Sequence, residues 1–84
     1  MKIDIGNDVI LQCDDIISLL DINSVKTNKN FSSFLSKCRD NNTYIDKGLD
    51  YKKIKSYVIT ATEDKTFIYA SSFTTKAIKE RIII

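Results

Sequence analysis

The chain has 84 residues, enough for one domain, and its 43% hydrophobic and 29% charged content is typical of a globular protein. The sequence contains no histidine, so the commonest general base and most zinc sites are excluded. The formal net charge of +2 is segregated, because residues 1–23 hold five aspartates against Lys2 alone, whereas residues 24–84 hold twelve basic and six acidic residues.

The first part of the chain predicts three strands. Residues 2–5 alternate polar side chains with isoleucine, which is the period of a half-buried strand. Gly6 and Asn7 suit a two-residue hairpin turn because both residue types tolerate positive φ. A returning strand is predicted over residues 8–12. Segment 16–22 is compatible with a buried strand or a short helix, and its length and isoleucine content favour a third strand. Val9 and Leu11 share one face of the second strand.

An amphipathic helix is predicted next, because four apolar residues recur at the spacing i, i+3, i+4 and i+7. Thr27 or Asn28 can cap its N-terminus, and the pair Asn41-Asn42 is a suitable stop. The residues of the apolar stripe are Phe31, Phe34, Leu35 and Cys38.

The rest of the chain predicts one short strand, a second hairpin and a final helix. The order β-β-β-α-β-β-β-α then predicts an α+β domain, with one small sheet of about six strands and two helices. The predicted elements are strands at residues 43–46, 53–61 and 66–71, a polar loop at 47–52, a turn at 63–65, and a helix at 74–83 capped by Ser72 or Thr74.

Several kinds of chemistry are not expected. Cys13 and Cys38 are too few for a disulfide framework and match no metal motif, so they are interpreted as reduced core thiols. With Gly6 and Gly48 as the two glycines, no glycine-rich phosphate loop can be formed. We therefore expect no enzyme, cofactor, metal or small-molecule substrate, although composition leaves a carboxylate-only active site open. No apolar run is long enough to span a bilayer and the N-terminal residues lack a signal-peptide pattern, so a cytoplasmic location is expected.

The densest basic stretch contains four lysines, offset by Asp46 and Asp50. Composition alone favours a solvated loop and strand edge there over a nucleic-acid contact. The tyrosines are interpreted as packing and rim residues, and the scarcity of aromatic side chains among the lysines makes single-stranded nucleic acid a poorer partner than duplex. The four lysines are Lys47, Lys52, Lys53 and Lys55.

Two segments resemble the bacterial extracellular-matrix regulators RemA and RemB, and the RemB branch more closely. Ile-Asp-Ile-Gly-Asn-Asp-Val-Ile at residues 3–10, followed by Asp-Ile-Ile-Ser-Leu-Leu-Asp at residues 15–21, looks like the family's opening. Phe-Ile-Tyr-Ala-Ser-Ser-Phe-Thr-Thr-Lys-Ala-Ile-Lys-Glu-Arg at residues 67–81 looks like the RemB ending. The resemblance covers essentially the whole chain as a single domain, residues 1–84, and none of its motifs is a catalytic signature.

The resemblance implies a small, ring-forming activator of biofilm-matrix genes, with a fold similar to the LytTR DNA-binding domain. Its arginine pair before the central strand falls on Lys52 and Lys53, Lys55 matches a third basic position, and Lys47 is a further candidate for phosphate contact. A second contact arginine of the family aligns with Asp15, next to Asp14. A carboxylate there repels DNA.

Two hypotheses follow. In the first, copies form a ring that binds the backbone of AT-rich double-stranded DNA through repeated lysine patches. In the second, the protein is an oligomeric interaction or scaffold protein that has lost DNA binding and acts through protein partners. Asp14 and Asp15 of one copy then face the lysines of the next. A small domain buries only about two-thirds of its unfolded surface, which favours association. The apolar ending Ile82, Ile83 and Ile84 is expected to fold onto its own core or to contact a neighbouring copy.

Overall fold

Six β-strands and three α-helices follow one another in residues 1–82, which are the residues that the computed structural model describes. The strands are β1 (Lys2–Asp4), β2 (Ile10–Gln12), β3 (Ile16–Asp21), β4 (Tyr44–Ile45), β5 (Ser56–Ala61) and β6 (Thr66–Ser71). The helices are α1 (Ile22–Val25), α2 (Lys29–Asp40) and α3 (Thr75–Ile82), and short 3₁₀ turns at Cys13–Asp15 and Tyr51–Lys53 precede β3 and β5. The α+β class is confirmed.

The strands form two sheets, so the prediction of a single sheet is wrong. β1 and β2 pair as an antiparallel ribbon, and the 3₁₀ turn after β2 separates them from a four-stranded sheet in the order β3-β5-β6-β4. β5 pairs antiparallel with both β3 and β6, whereas β4 runs parallel to β6 at the edge.

One helix, α1, is additional to the two that the sequence predicts. The Asp21 carboxylate accepts a hydrogen bond from the Asn23 amide at 3.2 Å. Because an aspartate at this position caps a helix, the chain leaves the strand at Asp21 and begins α1 at Ile22. The predicted strand over 16–22 is otherwise confirmed.

The loop of the first hairpin is longer than the predicted two-residue turn. Residues 5–9 form it, and Gly6, Asn7 and Asp8 all have positive φ, at 92°, 55° and 64°. A Cβ at position 6 would lie 2.9 Å from the Ser72 hydroxyl, so this position needs glycine for both its conformation and its packing. The returning strand consequently begins two residues later than predicted.

Each of the two predicted helices begins at one of its two candidate cap residues. The Asn28 side chain accepts a hydrogen bond from the Phe31 amide at 3.0 Å, and the Thr74 hydroxyl accepts one from the Ala77 amide at 3.1 Å. α2 ends where expected, with Asn42 in the left-handed conformation at φ 61°. In residues 1–82, no helix combines the length and the apolar character needed to cross a membrane.

β5 is the centre of the domain, because both of its faces are covered. Tyr57 and Val58 are 2% and 0% exposed, and as neighbours in a strand they point to opposite faces of the sheet. Val58 belongs to the core beneath the first hairpin and α3, with Ile3, Ile5, Val9, Leu11 and Ile78. Tyr57 belongs to the core beneath α2, with Val25, Cys38, Ile54, Ile68 and Ala70.

Two buried serines attach the neighbouring elements to the four-stranded sheet. The Ser71 hydroxyl donates to the Ile5 carbonyl at 2.5 Å and accepts from the Phe73 amide at 3.0 Å. The Ser56 hydroxyl donates to the Phe73 carbonyl at 2.7 Å. These bonds attach the first hairpin and the start of α3 to the end of the four-stranded sheet.

Two other strands are shorter than predicted. The strand expected over 43–46 is confined to Tyr44–Ile45, and the strand expected over 53–61 begins at Ser56. The latter starts late because a 3₁₀ turn occupies residues 51–53.

Candidate functional site

All four lysines that the sequence singles out are exposed. Lys52 and Lys53 lie in the 3₁₀ turn before β5, and Lys55 lies between that turn and the first residue of the strand. Lys47 lies in the loop that follows β4. The first three therefore lie at one end of the four-stranded sheet.

The backbone of Lys55 is anchored on both sides. Its amide donates to the Ser71 carbonyl at 2.8 Å, at the end of β6, and its carbonyl accepts from the Ile22 amide at 3.1 Å, at the start of α1. The exposed side chain of Lys55 thus extends from a main chain that is hydrogen-bonded to two elements, β6 and α1.

The 3₁₀ turn is fixed by the aspartate that precedes it. The Asp50 carboxylate accepts from the Lys52 amide at 3.0 Å, and the Lys53 amide donates to the Asp50 carbonyl at 2.8 Å. The Asp46 carboxylate similarly accepts from the Gly48 amide at 2.9 Å. Both acidic residues of the basic stretch therefore hydrogen-bond to the main chain, which fixes the loops that carry the lysines.

Lys47 is held separately, by the first hairpin. Its φ is positive, at 53°, and the Asn7 side-chain amide donates to the Asp46 carbonyl at 2.7 Å and to the Lys47 carbonyl at 3.4 Å. Asn7, predicted only as a turn residue, thus also positions the loop that carries Lys47.

Lys52 and Lys55 line a groove of about 550 Å³, together with a third lysine, Lys26, which the sequence analysis did not single out. Lys47 and Lys53 are not among its lining residues. Lys26 follows α1 directly, and the bond from the Ile22 amide to the Lys55 carbonyl brings α1 to this place. We call the cavity lined by Lys26, Lys52 and Lys55 the basic groove. One carboxylate, that of Asp21, also lines it.

The aspartates predicted to form subunit contacts lie at the opposite end of the sheet. Asp14 is exposed and Asp15 half-buried in the 3₁₀ turn that leads into β3. Because β3 and β5 are antiparallel, with Ile16 opposite Thr60 at one end and Asp21 opposite Ser56 at the other, the length of β3 separates Asp15 from Lys55. The turn after β5 adds two exposed acidic residues at the Asp15 end, Glu63 and Asp64.

Asp15 has an electrostatic effect on a nearby tyrosine. Burial raises the pKa of the Tyr69 hydroxyl, a hydrogen bond with Thr60 lowers it, and the Asp15 carboxylate raises it further. The Asp15 carboxylate therefore lies near enough to Tyr69 on β6 to disfavour the ionised form of its hydroxyl.

The apolar end of α3 packs inward. Ile82 is half-buried against the core beneath the first hairpin, which is one of the two alternatives expected for this apolar ending. The Arg81 guanidinium lies over the Phe73 ring, 4.4 Å from its centroid. Ile83 and Ile84, proposed with Ile82 as subunit contacts, lie outside the described residues.

Cys38 is buried, and Cys13 is half-buried at the margin of the first core. Among residues 1–82, no cluster of three or more histidine, cysteine or carboxylate side chains could hold a metal ion. Comparison with protein-family models and with curated proteins gives no match to this chain.

Proposed function

We propose that the protein is an oligomeric, double-stranded-DNA-binding transcriptional regulator of the RemA and RemB kind, with a LytTR-like fold. In this proposal, copies form a ring and bind the phosphate backbone through repeated lysine patches. The observation that carries it is the exposure of Lys52, Lys53 and Lys55 at one end of a sheet whose hydrogen bonds fix their main chain.

Backbone contact suits lysine in particular. An ammonium is a compact point charge without the two-pronged geometry of arginine, so it neutralises a phosphate without reading a base. Each phosphate neutralised releases condensed counterions and adds about 0.9 to the slope of binding against salt. Three contacts on one protomer bind weakly, and a ring strengthens binding by presenting many copies at high effective concentration.

The position of Asp15 supports a contact limited to the lysine end. The carboxylate lies beyond the far end of β3, and the length of that strand separates it from Lys55. A duplex that touches the lysine end alone therefore avoids the repulsion that the family alignment implies.

Fluorescence anisotropy with an AT-rich duplex tests the proposal. We expect saturable binding at low salt that weakens log-linearly as salt rises. The double variant Lys52→Ala/Lys53→Ala should abolish binding while light scattering shows an unchanged assembly. The matched control is Lys76→Ala/Lys79→Ala, which removes the same charge from exposed positions on α3 and should have a much smaller effect. Equal losses in the two double variants would refute a localised patch.

The second candidate is a scaffold in which copies associate head to tail. Asp14, Asp15, Glu63 and Asp64 outnumber the single Lys65 at their end of the sheet, and the length of β3 separates them from Lys52, Lys53 and Lys55. This favours the hypothesis, because a net negative end of one copy complements the lysine end of the next. It predicts that Lys52→Ala/Lys53→Ala dissociates the assembly, which light scattering detects as a fall in mass.

A further inference from the structure

A second cavity adjoins the basic groove beside α2. Its volume is about 190 Å³, and we call it the aromatic slot. The apolar and aromatic residues that line it are Ile22, Val25, Phe31, Leu35, Tyr51 and Tyr57.

The aromatic slot and the basic groove are contiguous. Ile22, Lys26 and Tyr51 line both cavities, so one surface runs from the apolar slot to the lysines. Tyr51 is 70% exposed, although it is the residue type that usually buries its ring. Its accessible ring therefore lies at the junction of an apolar cavity and a cationic one.

The slot has the size and walls to receive a planar ring. A cavity of roughly 150 Å³ lined by apolar side chains is large enough to bind benzene. The Phe31 and Tyr57 rings form one wall, with centroids 5.1 Å apart at an angle of 49°. The lining of the slot is partly polar, because Ser32, Ser36 and Arg39 also contribute to it. A ring that carries hydrogen-bonding groups fits this lining better than an acyl chain does.

Tyr57 lines the slot from a buried position, with 2% of its surface exposed. Burial, followed by the proximity of the other tyrosines, raises the pKa of its hydroxyl to about 12.

The basic groove supplies a complementary site for an anion. Lys26, Lys52 and Lys55 line it against the single carboxylate of Asp21, and all three lysines are exposed. The Asp21 carboxylate is already hydrogen-bonded to the Asn23 amide. The net positive charge of the groove matches a phosphate group.

We propose that the aromatic slot and the basic groove together bind a free nucleotide, with its base in the slot beside Tyr51 and its phosphate among the three lysines. This site goes beyond contact with the backbone of a duplex, because paired bases remain stacked within DNA and cannot enter the slot. It shares Lys52 and Lys55 with the proposed DNA surface, so a bound nucleotide competes with phosphate contacts of the duplex.

Nuclear magnetic resonance titration of the full chain tests the site, with adenosine monophosphate as the probe and adenosine and inorganic phosphate as separate arms. We expect the nucleotide to bind at least about tenfold more tightly than either part, because base and phosphate each contribute. The shifts should centre on Tyr51 and on the facing residues of α2.

Three variants localise the binding. Tyr51→Ala removes an exposed ring and should lower nucleotide affinity about tenfold, since base stacking on an aromatic side chain contributes this much. Lys26→Ala should weaken nucleotide and phosphate binding alike. Lys53→Ala is the matched control, because Lys53 is exposed in the same turn as Tyr51 but does not line either cavity, and it should leave nucleotide affinity unchanged.

Several results would overturn the proposal. Phosphate binding as tight as nucleotide binding, with no effect of Tyr51→Ala, would reduce the site to a general anion patch. Binding of a short single-stranded oligonucleotide without binding of adenosine monophosphate would assign the slot to nucleic acid instead. The absence of any shift at millimolar nucleotide would also refute it.

Lys53→Ala distinguishes the nucleotide site from the proposed DNA surface. If this variant loses duplex binding but keeps nucleotide binding, the two sites are separate, so the nucleotide proposal and the DNA proposal can each fail without the other.

Discussion

Replacing Ser71 by alanine tests how the two sheets are joined. Ser71 is completely buried, and its hydroxyl donates to the Ile5 carbonyl in the first hairpin and accepts from the Phe73 amide before α3. The substitution leaves both main-chain groups without this partner, the Ile5 carbonyl in a buried environment and the Phe73 amide in a partly buried one. It does not touch the Ser71 carbonyl, which holds the Lys55 amide at 2.8 Å.

The expected loss of stability follows from those two groups. Each buried polar group left unsatisfied costs about 1–3 kcal/mol, and removal of the serine hydroxyl itself relieves part of this cost. We expect a net loss of about 2–3 kcal/mol in the free energy of unfolding. This is a large part of the total stability of a domain of this size, which is about 4–12 kcal/mol. Each kcal/mol lost lowers the melting temperature of such a domain by about 4–8 °C, so the melting temperature should fall by at least about 8 °C.

Urea unfolding followed by circular dichroism measures this loss, at one fixed protomer concentration because association adds to apparent stability. Ser33→Ala, at an exposed position of α2, is the control and should change stability by less than about 0.5 kcal/mol. Equal stabilities for the two variants would refute the account of how the sheets are joined. Hydrogen exchange should additionally show faster opening of β1 and β2 in Ser71→Ala.

Four further predictions concern single positions. Gly6→Ala should destabilise the domain by about 1–3 kcal/mol in thermal melts, because φ is 92° and the new methyl would lie 2.9 Å from the Ser72 hydroxyl; an unchanged melting temperature would contradict this packing. Asn28→Ala should cost about 1 kcal/mol in urea unfolding by removing the cap of α2. The pKa of Tyr57 is raised to about 12 in the folded protein, so as the pH rises the unfolded chain loses this proton first. The free energy of unfolding should therefore fall between about pH 10 and pH 12, and Tyr57→Phe should make this fall shallower. Asp15→Arg should leave duplex affinity nearly unchanged if DNA contacts only the lysine end, whereas a large gain would place position 15 beside the duplex.

Much of the fold could be predicted because its signals are local. The spacing of Phe31, Phe34, Leu35 and Cys38 was enough to locate α2, and residue types that cap helices marked both helix starts. The division into two sheets could not be predicted, because it depends on contacts far apart in sequence. The bond between Ser71 and Ile5 joins residues 66 positions apart, and no local pattern indicates it.

The candidate site was predictable only in part, for the same reason. A cluster of lysines is visible in the sequence, but α1 is four residues long and has too little periodicity to be detected. Lys26 was therefore missed, although it lines the same groove as Lys52 and Lys55. The Asp21 cap was the one local signal for α1, and it lies in a segment whose isoleucine content favours a strand. Tyr51 was interpreted as a rim residue, and the cavity beside it forms only when α2 packs over β5.

The two functional hypotheses compete for the same lysines, and the fold explains why. Residues 16–21 of β3 separate the acidic and basic ends, a span of roughly 17 Å at the rise of a strand. This exceeds the Debye length of about 8 Å at physiological salt, so Asp14 and Asp15 scarcely screen the lysines at the other end of the same protomer. Those charges remain available either to phosphates or to the acidic end of another copy. One ammonium group cannot pair fully with a phosphate and with a carboxylate of another copy at the same time. If copies associate head to tail through the lysines, added DNA should therefore lower the mass of the protein assembly. If a ring binds DNA on a free lysine surface, the protein assembly should keep its mass as duplex is added.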